Sequence, residues 1–501
     1  MIYCAKGNRH SVVKGTAYMK KHITILLLLA MLAPMIASCG KPAETETQPV
    51  DTVAAETETV ETELTDSLPE KDFGGANYRV LTAAEQWQKF YNSEQNGEII
   101  NDAVYKRNLT VEERFNVKLD YKVFNGYTAG MADVKNALSG SVMSGGNDYD
   151  MMVGSSSYVI GLMADKLLTN LDEAAYVDLK APWWFQYVND SIRIVNKQYF
   201  GAGSLNMLNY AWAIVMYFNK NVAENYQVGD LYTCVQEGNW TWDTFSQMCE
   251  TVLTDTDGNQ KYDWNDTVGI YSTDDYFSFF LNSFEYEDAT HNPDGTVTIN
   301  PISDKLISVN EMLFSMMNSD LYLNGYLHPE CKNADYSPMI HSFATDHALF
   351  MYHRLEFTDT EILRNMDGYG ILPSPKYDVQ QTNYMTGVVS EVSGIPAVVP
   401  DLEMSAIILE AMQFETWKSV RPAYYDIALK SKYTQDAVSG QMLDIIFGNL
   451  TASFPYMYSR ITGGFPGGNL GLTENYASWF ASNQPKWQNA LDALIKTMQE
   501  D

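Results

Sequence analysis

From residue 78 onward the chain alternates short strand patterns with amphipathic helix patterns, and this alternation restricts its fold more than any other feature. The first five segments alternate as strand, helix, strand, helix and strand, and they cover residues 78–83, 100–115, 117–124, 131–140 and 149–157. This order predicts an α/β fold with a mostly parallel sheet and helices on both faces. Ligands of such sheets bind at the carboxyl ends of the strands, which here are residues 84–87 and 154–158.

A second set of patterns begins near residue 212. Its predicted strands cover residues 212–220, 268–273, 296–300, 348–354 and 369–375. Its predicted helices cover residues 221–226, 241–253, 302–320 and about 402–417. Residues 386–400 are extended and punctuated by Gly and Pro, and no internal repeat is present. A chain of 501 residues is long enough for two or three domains.

The first 38 residues are typical of a bacterial signal peptide with an upstream extension. Met19, followed by two lysines, is a plausible second start, and residues 23–37 form an apolar run too short to span a bilayer. The following Ile-Ala-Ser-Cys ends at Cys39, and this pattern resembles a lipobox, in which the cysteine is acylated and becomes the new N-terminus. The alternative is a buried cysteine after an ordinary signal.

Residues 39–72 combine the lipidated cysteine with an acidic tether. Residues 41–72 contain ten acidic residues, two lysines and no aromatic residue, so they cannot bury a core and are expected to be disordered. The formal charge of the chain is −30, and removal of the five basic residues before Cys39 leaves −35. Such a charge repels nucleic acid and anionic lipid, so we expect membrane attachment through the lipid alone and no nucleic-acid partner. We also expect a monomer.

Three cysteines remain after Cys4 and Cys39 are set aside. Cys234, Cys249 and Cys331 have no metal-ligand spacing. One disulfide is compatible with an exported protein, but buried thiols are the favoured interpretation.

Several blocks of sequence resemble the extracellular solute-binding proteins of bacterial ABC importers, the group that contains maltose- and oligosaccharide-binding receptors. They are "NGEIINDAVYKRNLTVEERFNVKL" (96–119), "APWWFQYV" (181–188), "YFNKNVAENYQVGDLYTCVQEGNWTWDTF" (217–245), "ALFMYHR" with "YGILPSPKYD" (348–378) and "RPAYYDIALKSKYTQDAVSGQMLDII" (421–446). The likeness covers nearly all of the chain from Phe73 onward. It is specific for the family but not for the ligand.

The resemblance implies two α/β lobes joined by a hinge, the periplasmic-binding-protein-like type II fold, with a ligand cleft that closes between the lobes. It places lobe 1 at residues 73–212 with about 386–435, and lobe 2 at residues 213–385 with about 436–501. The crossings between the lobes would then lie near residues 209–214 and 385–389.

Candidate ligand contacts in lobe 1 follow its predicted strands. Gln86 and Trp87 come after the first strand, and Ser155 and Ser156 come after the third. A Trp face stacks on the C–H surface of a sugar, while amides and hydroxyls bind its hydroxyl groups. The alternative for all four residues is an ordinary loop, with Trp87 as a packing anchor.

Three further aromatic residues are candidates. Trp183 is adjacent to Trp184, and because neighbours cannot both face one way, we expect one in the core and Trp183 in the cleft. Tyr210 and Trp212 lie at the first crossing, where the resemblance implies ligand contacts. A core position for Trp212 is the alternative.

Candidates in lobe 2 follow two predicted strands. Asp274, Asp275 and Tyr276 come after residues 268–273, and His353 and Arg354 end the "ALFMYHR" strand, where the resemblance implies contacts. Arg354 could bind an acidic ligand or donate to sugar hydroxyls, and a structural salt bridge is the alternative.

The segment "DTDGNQKYDWND" (255–266) has the spacing of a calcium-binding loop. Oxygen-bearing side chains occupy positions 1, 3, 5, 9 and 12, position 7 offers a carbonyl, and the six ligands are Asp255, Asp257, Asn259, Lys261, Asp263 and Asp266. Gln260 stands at position 6 where a Gly is usual, and position 12 is Asp rather than Glu. A structural calcium is therefore one interpretation and an acidic surface turn is the other; no cofactor is required.

The sequence favours a binding protein over an enzyme. It contains no P-loop, no H-E-x-x-H and no G-x-S-x-G motif, and no carboxylate pair stands out as catalytic. The leading hypothesis is a receptor, lipid-anchored on the outer face of a bacterial cell membrane, that captures a mono- or oligosaccharide and delivers it to an ABC importer permease. The alternatives are a tethered carbohydrate-active enzyme and a surface carbohydrate-binding protein without a transporter.

Overall fold

The computed structural model describes residues 64–500, except residues 84–93, 126, 334, 367, 389–390 and 431–436. The signal peptide, Cys39 and most of the tether therefore lie outside the described residues, as do Gln86 and Trp87. Residues 65–500 belong to one compact unit. No helix in the described ranges has the length and apolar character needed to cross a membrane.

Fourteen strands are present in the described residues, and we number them in chain order. They are β1 Ala76–Ala83, β2 Val117–Phe124, β3 Met151–Ser155, β4 Gly201–Ala202, β5 Ile214–Asn219, β6 Val268–Ser272, β7 Ala289–His291, β8 Val297–Ile299, β9 Tyr322–Asn324, β10 Ala348–Arg354, β11 Tyr369–Leu372, β12 Thr386–Gly387, β13 Glu391–Gly394 and β14 Leu450–Thr451.

The α-helices of the described residues are numbered in the same way. They are α1 Ile99–Phe115, α2 Tyr127–Met143, α3 Ser156–Ala164, α4 Gln186–Ile192, α5 Leu208–Ala211, α6 Lys220–Asn225, α7 Leu231–Gln236, α8 Trp242–Val252, α9 Asp274–Phe277, α10 Phe280–Ser283, α11 Asp304–Met317, α12 Ser337–Ala344, α13 Glu361–Asn365, α14 Leu402–Glu415, α15 Arg421–Lys430, α16 Ala437–Gly448, α17 Phe454–Met457, α18 Ser459–Thr462 and α19 Tyr476–Gln499.

The first sheet has the strand order β2-β1-β3-β13-β4. Strand β1 pairs in parallel with both β2 and β3, with Val80 opposite Met151, and this confirms the predicted β-α-β-α-β unit. The sheet is less parallel than expected, because β13 runs antiparallel to β3 and to β4. Strand β13 lies more than 170 residues beyond β4 in sequence. It is therefore not joined to its neighbours by a single crossover helix, which would have made it parallel to them.

The second sheet has the order β11-β5-β10-β6-β9 and is built from residues 214–372. Its strands β5, β6 and β11 are buried along their whole length, so they need apolar residues on both faces, as in "IVMYFN" and "VGIYS". Strand β10 pairs in parallel with β6 and antiparallel with β5. The carboxyl ends of β6 and β10 therefore lie at the same edge of the sheet.

Two segments run between the sheets. The chain leaves β4, forms the short helix α5 and enters β5, and Ala213 in this segment pairs with Val388. The second segment contains β12, which pairs with β14, and then continues to β13 in the first sheet. Helix α14 packs against helix α1 and belongs to the hydrophobic cluster of the first sheet.

Candidate functional site

A cavity of about 700 Å³ lies between the strand ends of the two sheets and the C-terminal helices. Its residues come from the β3–α3 junction, the α5–β5 segment, the ends of β6 and β10, and residues 456–472. They are Ser155, Ser157, Tyr158, Trp212, Asp274, Asp275, Tyr276, Ser278, Phe279, Tyr326, Arg354, Tyr456, Arg460, Phe465, Gly467, Gly468, Leu470 and Leu472. The volume is in the range of small-molecule binding sites.

Ser155, Ser157 and Tyr158 form the wall that belongs to the first sheet. Strand β3 ends at Ser155, whose extended backbone begins helix α3, and its hydroxyl lies 3.4 Å from that of Ser157. Arg460 of α18 lies over the Tyr158 ring, with its guanidinium carbon 3.6 Å from the ring centre. This wall therefore offers two hydroxyls and a cation that is stacked on an aromatic ring.

Asp274 and Asp275 contribute carboxylates to the opposite wall, where β6 ends and helix α9 begins. Tyr322 donates its hydroxyl to Asp274 Oδ1 at 3.2 Å, and Tyr326 donates to Asp275 Oδ2 at the same distance. Thr273 donates to Asp275 Oδ1 at 2.5 Å. Burial raises the pKa of the Tyr326 hydroxyl, so it remains a donor at neutral pH. The wall thus presents two oriented carboxylates.

Arg354 and Trp212 are held together by one carboxylate. An Arg354 terminal nitrogen lies 2.7 Å from Glu356 Oε1, and Trp212 Nε1 donates to Glu356 Oε2 at 2.9 Å. The guanidinium lies 5.5 Å from the centre of the Trp212 ring and 5.7 Å from that of Tyr276. Glu356 therefore connects a residue of the α5–β5 segment to a residue at the end of β10.

Six of the twelve candidate ligand contacts line this cavity, and they are Ser155, Trp212, Asp274, Asp275, Tyr276 and Arg354. The salt bridge considered for Arg354 is also present, so that residue is both paired and at the cavity. Gln86 and Trp87 lie outside the described residues, and their role stays a prediction.

Four candidates are placed elsewhere. Trp183 is buried and donates Nε1 to Glu410 at 2.6 Å, and Trp184 donates to the other oxygen of the same carboxylate at 3.0 Å. Both indoles therefore point into the core, so the expectation that adjacent tryptophans diverge is wrong: the turn is not a regular strand. Tyr210 is buried and hydrogen-bonded to Ser204 at 2.7 Å.

Ser156 and His353 are buried neighbours of lining residues. Ser156 begins helix α3 pointing inward and donates to the Met457 sulfur at 3.0 Å. His353 is 0% exposed and packs between the rings of Tyr276 and Phe357, each 4.0 Å away. Burial lowers the pKa of His353 well below its usual value, so the ring is neutral. Aromatic rings therefore enclose His353, whereas the Arg354 guanidinium, 5.7 Å from the same Tyr276 ring, lines the cavity.

Sequence reasoning missed the C-terminal part of the site. Tyr456, Arg460 and Phe465 line the cavity together with the glycines that follow. A Cβ on Gly467 would lie 2.8 Å from the Phe465 ring, so glycine is required for this ring to pack over its own turn. The aromatic and glycine-rich run "FPYMYSRITGGFPGG" was the signal that could have found it.

The calcium-like loop gathers three of its six candidate ligands. Carboxylate oxygens of Asp255, Asp257 and Asp266 lie within 4.8 Å of one another, while Asp263 accepts instead from Asn265. Gln260 has φ +65°, so position 6 adopts the left-handed turn that a Gly would favour. The donor chemistry fits a hard cation such as Ca²⁺, although Asp255 and Asp266 also accept backbone N–H groups in this loop.

Comparison with protein-family models finds no match, and neither does comparison with curated proteins. Solved structures do match. The cyclic α-maltosyl-1,6-maltose-binding protein from Arthrobacter globiformis matches with a TM-score of 0.54 at 12% identity, over 84% of this chain and 100% of that one. The sugar-binding protein MalE from the phytopathogen Xanthomonas citri matches with a TM-score of 0.53 at 11% identity, over 85% and 98%. The chain therefore has the type II fold of periplasmic solute-binding proteins, shared with these sugar-binding proteins.

Proposed function

We propose that this chain is the receptor of an ABC importer and that it captures a mono- or oligosaccharide in the cavity between its two sheets. The observation that carries the proposal is the composition of that cavity, which combines aromatic faces, two carboxylates and Arg354 at strand ends with a second arginine, Arg460, from helix α18. Aromatic faces bind sugar rings and carboxylates accept sugar hydroxyls. The likeness to sugar-binding proteins supports binding rather than turnover.

Ligand capture would proceed by closure of two lobes over this cavity. We assign residues 73–212 with about 386–435 to one lobe, and residues 213–385 with about 436–501 to the other. The pairing of β13 with β3 and β4 supports the return of the chain to the first lobe, and the placement of β5 to β11 in residues 214–372 supports the second. Residues 209–214 and 385–389 would then absorb the hinge motion.

The site of action in this proposal is the outer face of a bacterial cell membrane, with Cys39 as the lipid anchor and residues 41–72 as the tether. Its support is the sequence of residues 19–72. The test is labelling of cells with radioactive palmitate. Incorporation into the wild-type protein that is lost in Cys39→Ser is expected, and equal labelling of both would refute the anchor.

A structural calcium in the loop of residues 255–266 is a further part of this proposal. Asp255, Asp257 and Asp266 would supply oxygen ligands, with Asn259, Lys261 and Asp263 as the remaining candidates. The ion would neutralise converging carboxylates and connect helix α8 to strand β6.

The function is tested by a thermal-shift screen of the purified protein against mono- and oligosaccharides. We expect a saccharide to raise the melting temperature and to be recovered unchanged, and Trp87→Ala and Arg354→Ala to weaken its binding. Conversion of the ligand would support the tethered enzyme instead. Unchanged affinity in both variants would refute the site. Ligand uptake that requires both this protein and its permease separates a receptor from a surface binder.

A further inference from the structure

Arg460 differs from the other cation of the cavity in having no ion-pair partner among the described residues. The charge of Arg354 is balanced by Glu356 at 2.7 Å. No described carboxylate forms an ion pair with Arg460, whose guanidinium instead lies over the Tyr158 ring. The formal charge of the whole chain is −30, so carboxylates are plentiful, and yet none of the described ones is paired with Arg460.

The stacking on Tyr158 fixes how Arg460 can interact. A guanidinium that lies flat on an aromatic face has its N–H donors directed outward in the plane of the group. Such a fork matches the two oxygens of a carboxylate, which it binds through two parallel hydrogen bonds. Arg460 lines the cavity, so this fork is available to a ligand.

The two walls of the cavity present opposite hydrogen-bonding groups to a ligand. Asp274 and Asp275 can only accept hydrogen bonds, and they lie on the wall built from the end of β6. Arg460 can only donate, and it lies on the wall of Tyr158. A neutral sugar would satisfy the carboxylates with its hydroxyls but would leave the cation uncompensated when closure removes water.

On the basis of the proposed function, we infer that Arg460 makes this cavity selective for saccharides that carry a carboxylate, such as uronic acids. The carboxylate binds Arg460 against Tyr158, and the hydroxyls of the same sugar donate to Asp274 and Asp275. Because the guanidinium of Arg354 is already paired with Glu356, Arg460 is the specificity-determining residue of the site.

The experiment is titration calorimetry of the full mature chain with matched sugars. The probes are galacturonic and glucuronic acids with their neutral parents, digalacturonate with galactobiose, and galactosamine. We expect at least one acid to bind about tenfold or more tightly than its neutral parent, as a charge-assisted pair supplies. Rising salt should weaken that preference. Arg460→Gln should abolish the preference, and Arg460→Lys should restore part of it.

Arg364→Gln is the matched control, since it removes the same charge from an exposed position that does not line the cavity. Equal or tighter binding of the neutral sugars or of galactosamine overturns the inference and leaves the proposed function intact. A preference for acids that survives Arg460→Gln overturns the role of Arg460. If no sugar binds, acidic or neutral, the proposed function fails and this inference fails with it.

Discussion

The buried carboxyl of Asp288 makes the stability of the protein depend on pH, and its hydrogen bonds connect it to a residue that lines the ligand cavity. It lies just before β7, is 7% exposed, and accepts a short hydrogen bond from the Ser453 hydroxyl. Ser453 in turn caps the short helix α17 by accepting from Tyr456 N at 3.1 Å, and Tyr456 lines the cavity. Burial raises the pKa of Asp288 to about 7 from 3.8, with the hydrogen bond from Ser453 opposing part of that rise.

The sign of the pH dependence follows from these two pKa values. Between pH 4 and 7 the folded protein keeps a proton on Asp288 that the unfolded chain has released. The unfolded state therefore binds fewer protons, and the free energy of unfolding falls as the pH rises through this window. A shift from 3.8 to about 7 corresponds to at most about 4 kcal/mol. Above pH 7 the contribution of this group is constant.

The perturbation is Asp288→Asn, which removes the ionisation and leaves an acceptor for Ser453. We expect the variant to lose less stability than the wild type between pH 5 and pH 8, by up to about 3 kcal/mol, because only the two pH units between pH 5 and the pKa of about 7 lie inside this range. The assay is urea unfolding followed by Trp fluorescence at four pH values. Burial also raises the pKa of Glu410 to about 7. Glu410 is present in both proteins, so it lowers the free energy of unfolding of both by the same amount as the pH rises. Asp133→Asn, on an exposed part of helix α2, is the control. An Asp288→Asn profile parallel to that of the wild type would refute the reasoning.

Three further predictions concern the site and the loop. Trp183→Phe removes an indole donor from Glu410, so the free energy of unfolding in urea should fall by about 1–3 kcal/mol while saccharide affinity stays unchanged. A loss of affinity would show that Trp183 contacts the ligand. Glu356→Leu should weaken saccharide binding in calorimetry more than Glu356→Gln, which keeps an acceptor for Trp212, and equal effects would contradict this. Calcium should raise the melting temperature of the wild type above its value in EDTA but not that of Asp257→Asn, and an equal response of both would exclude this carboxylate as a ligand.

The long elements were predictable because their side-chain periods extend over many residues. The structure places β2 at Val117–Phe124 and β10 at Ala348–Arg354, the bounds that the patterns indicated. The four-residue helices Leu208–Ala211 and Phe280–Ser283 were not predicted, since one helical turn shows no period. The direction of β13 also escaped prediction, because pairing between distant segments leaves no local signal.

The residues of the candidate site that directly follow a strand could be predicted from the sequence. Asp274, Asp275 and Tyr276 directly follow β6, so the rule that ligands bind at the carboxyl ends of strands finds them. The same rule selected His353 beside Arg354, but the rings of Tyr276 and Phe357 enclose His353, so it does not line the cavity. The prediction that Trp183 faces the cleft was wrong for another reason, since its hydrogen-bond partner Glu410 lies 227 positions away in sequence.

The residues that sequence reasoning missed belong to the part of the cavity that no strand positions. Tyr456, Arg460 and Phe465 come from short helices and a glycine-rich turn that reach the cavity only through tertiary packing, as when α18 packs on α3. Strand ends are fixed by the fold, whereas such a segment can change its side chains without altering either sheet. A fold shared at 12% identity therefore does not identify the ligand of this cavity. It follows that exchanges within residues 456–472 should change which saccharide binds, whereas exchanges at Trp212 or Glu356 should change how tightly any saccharide binds.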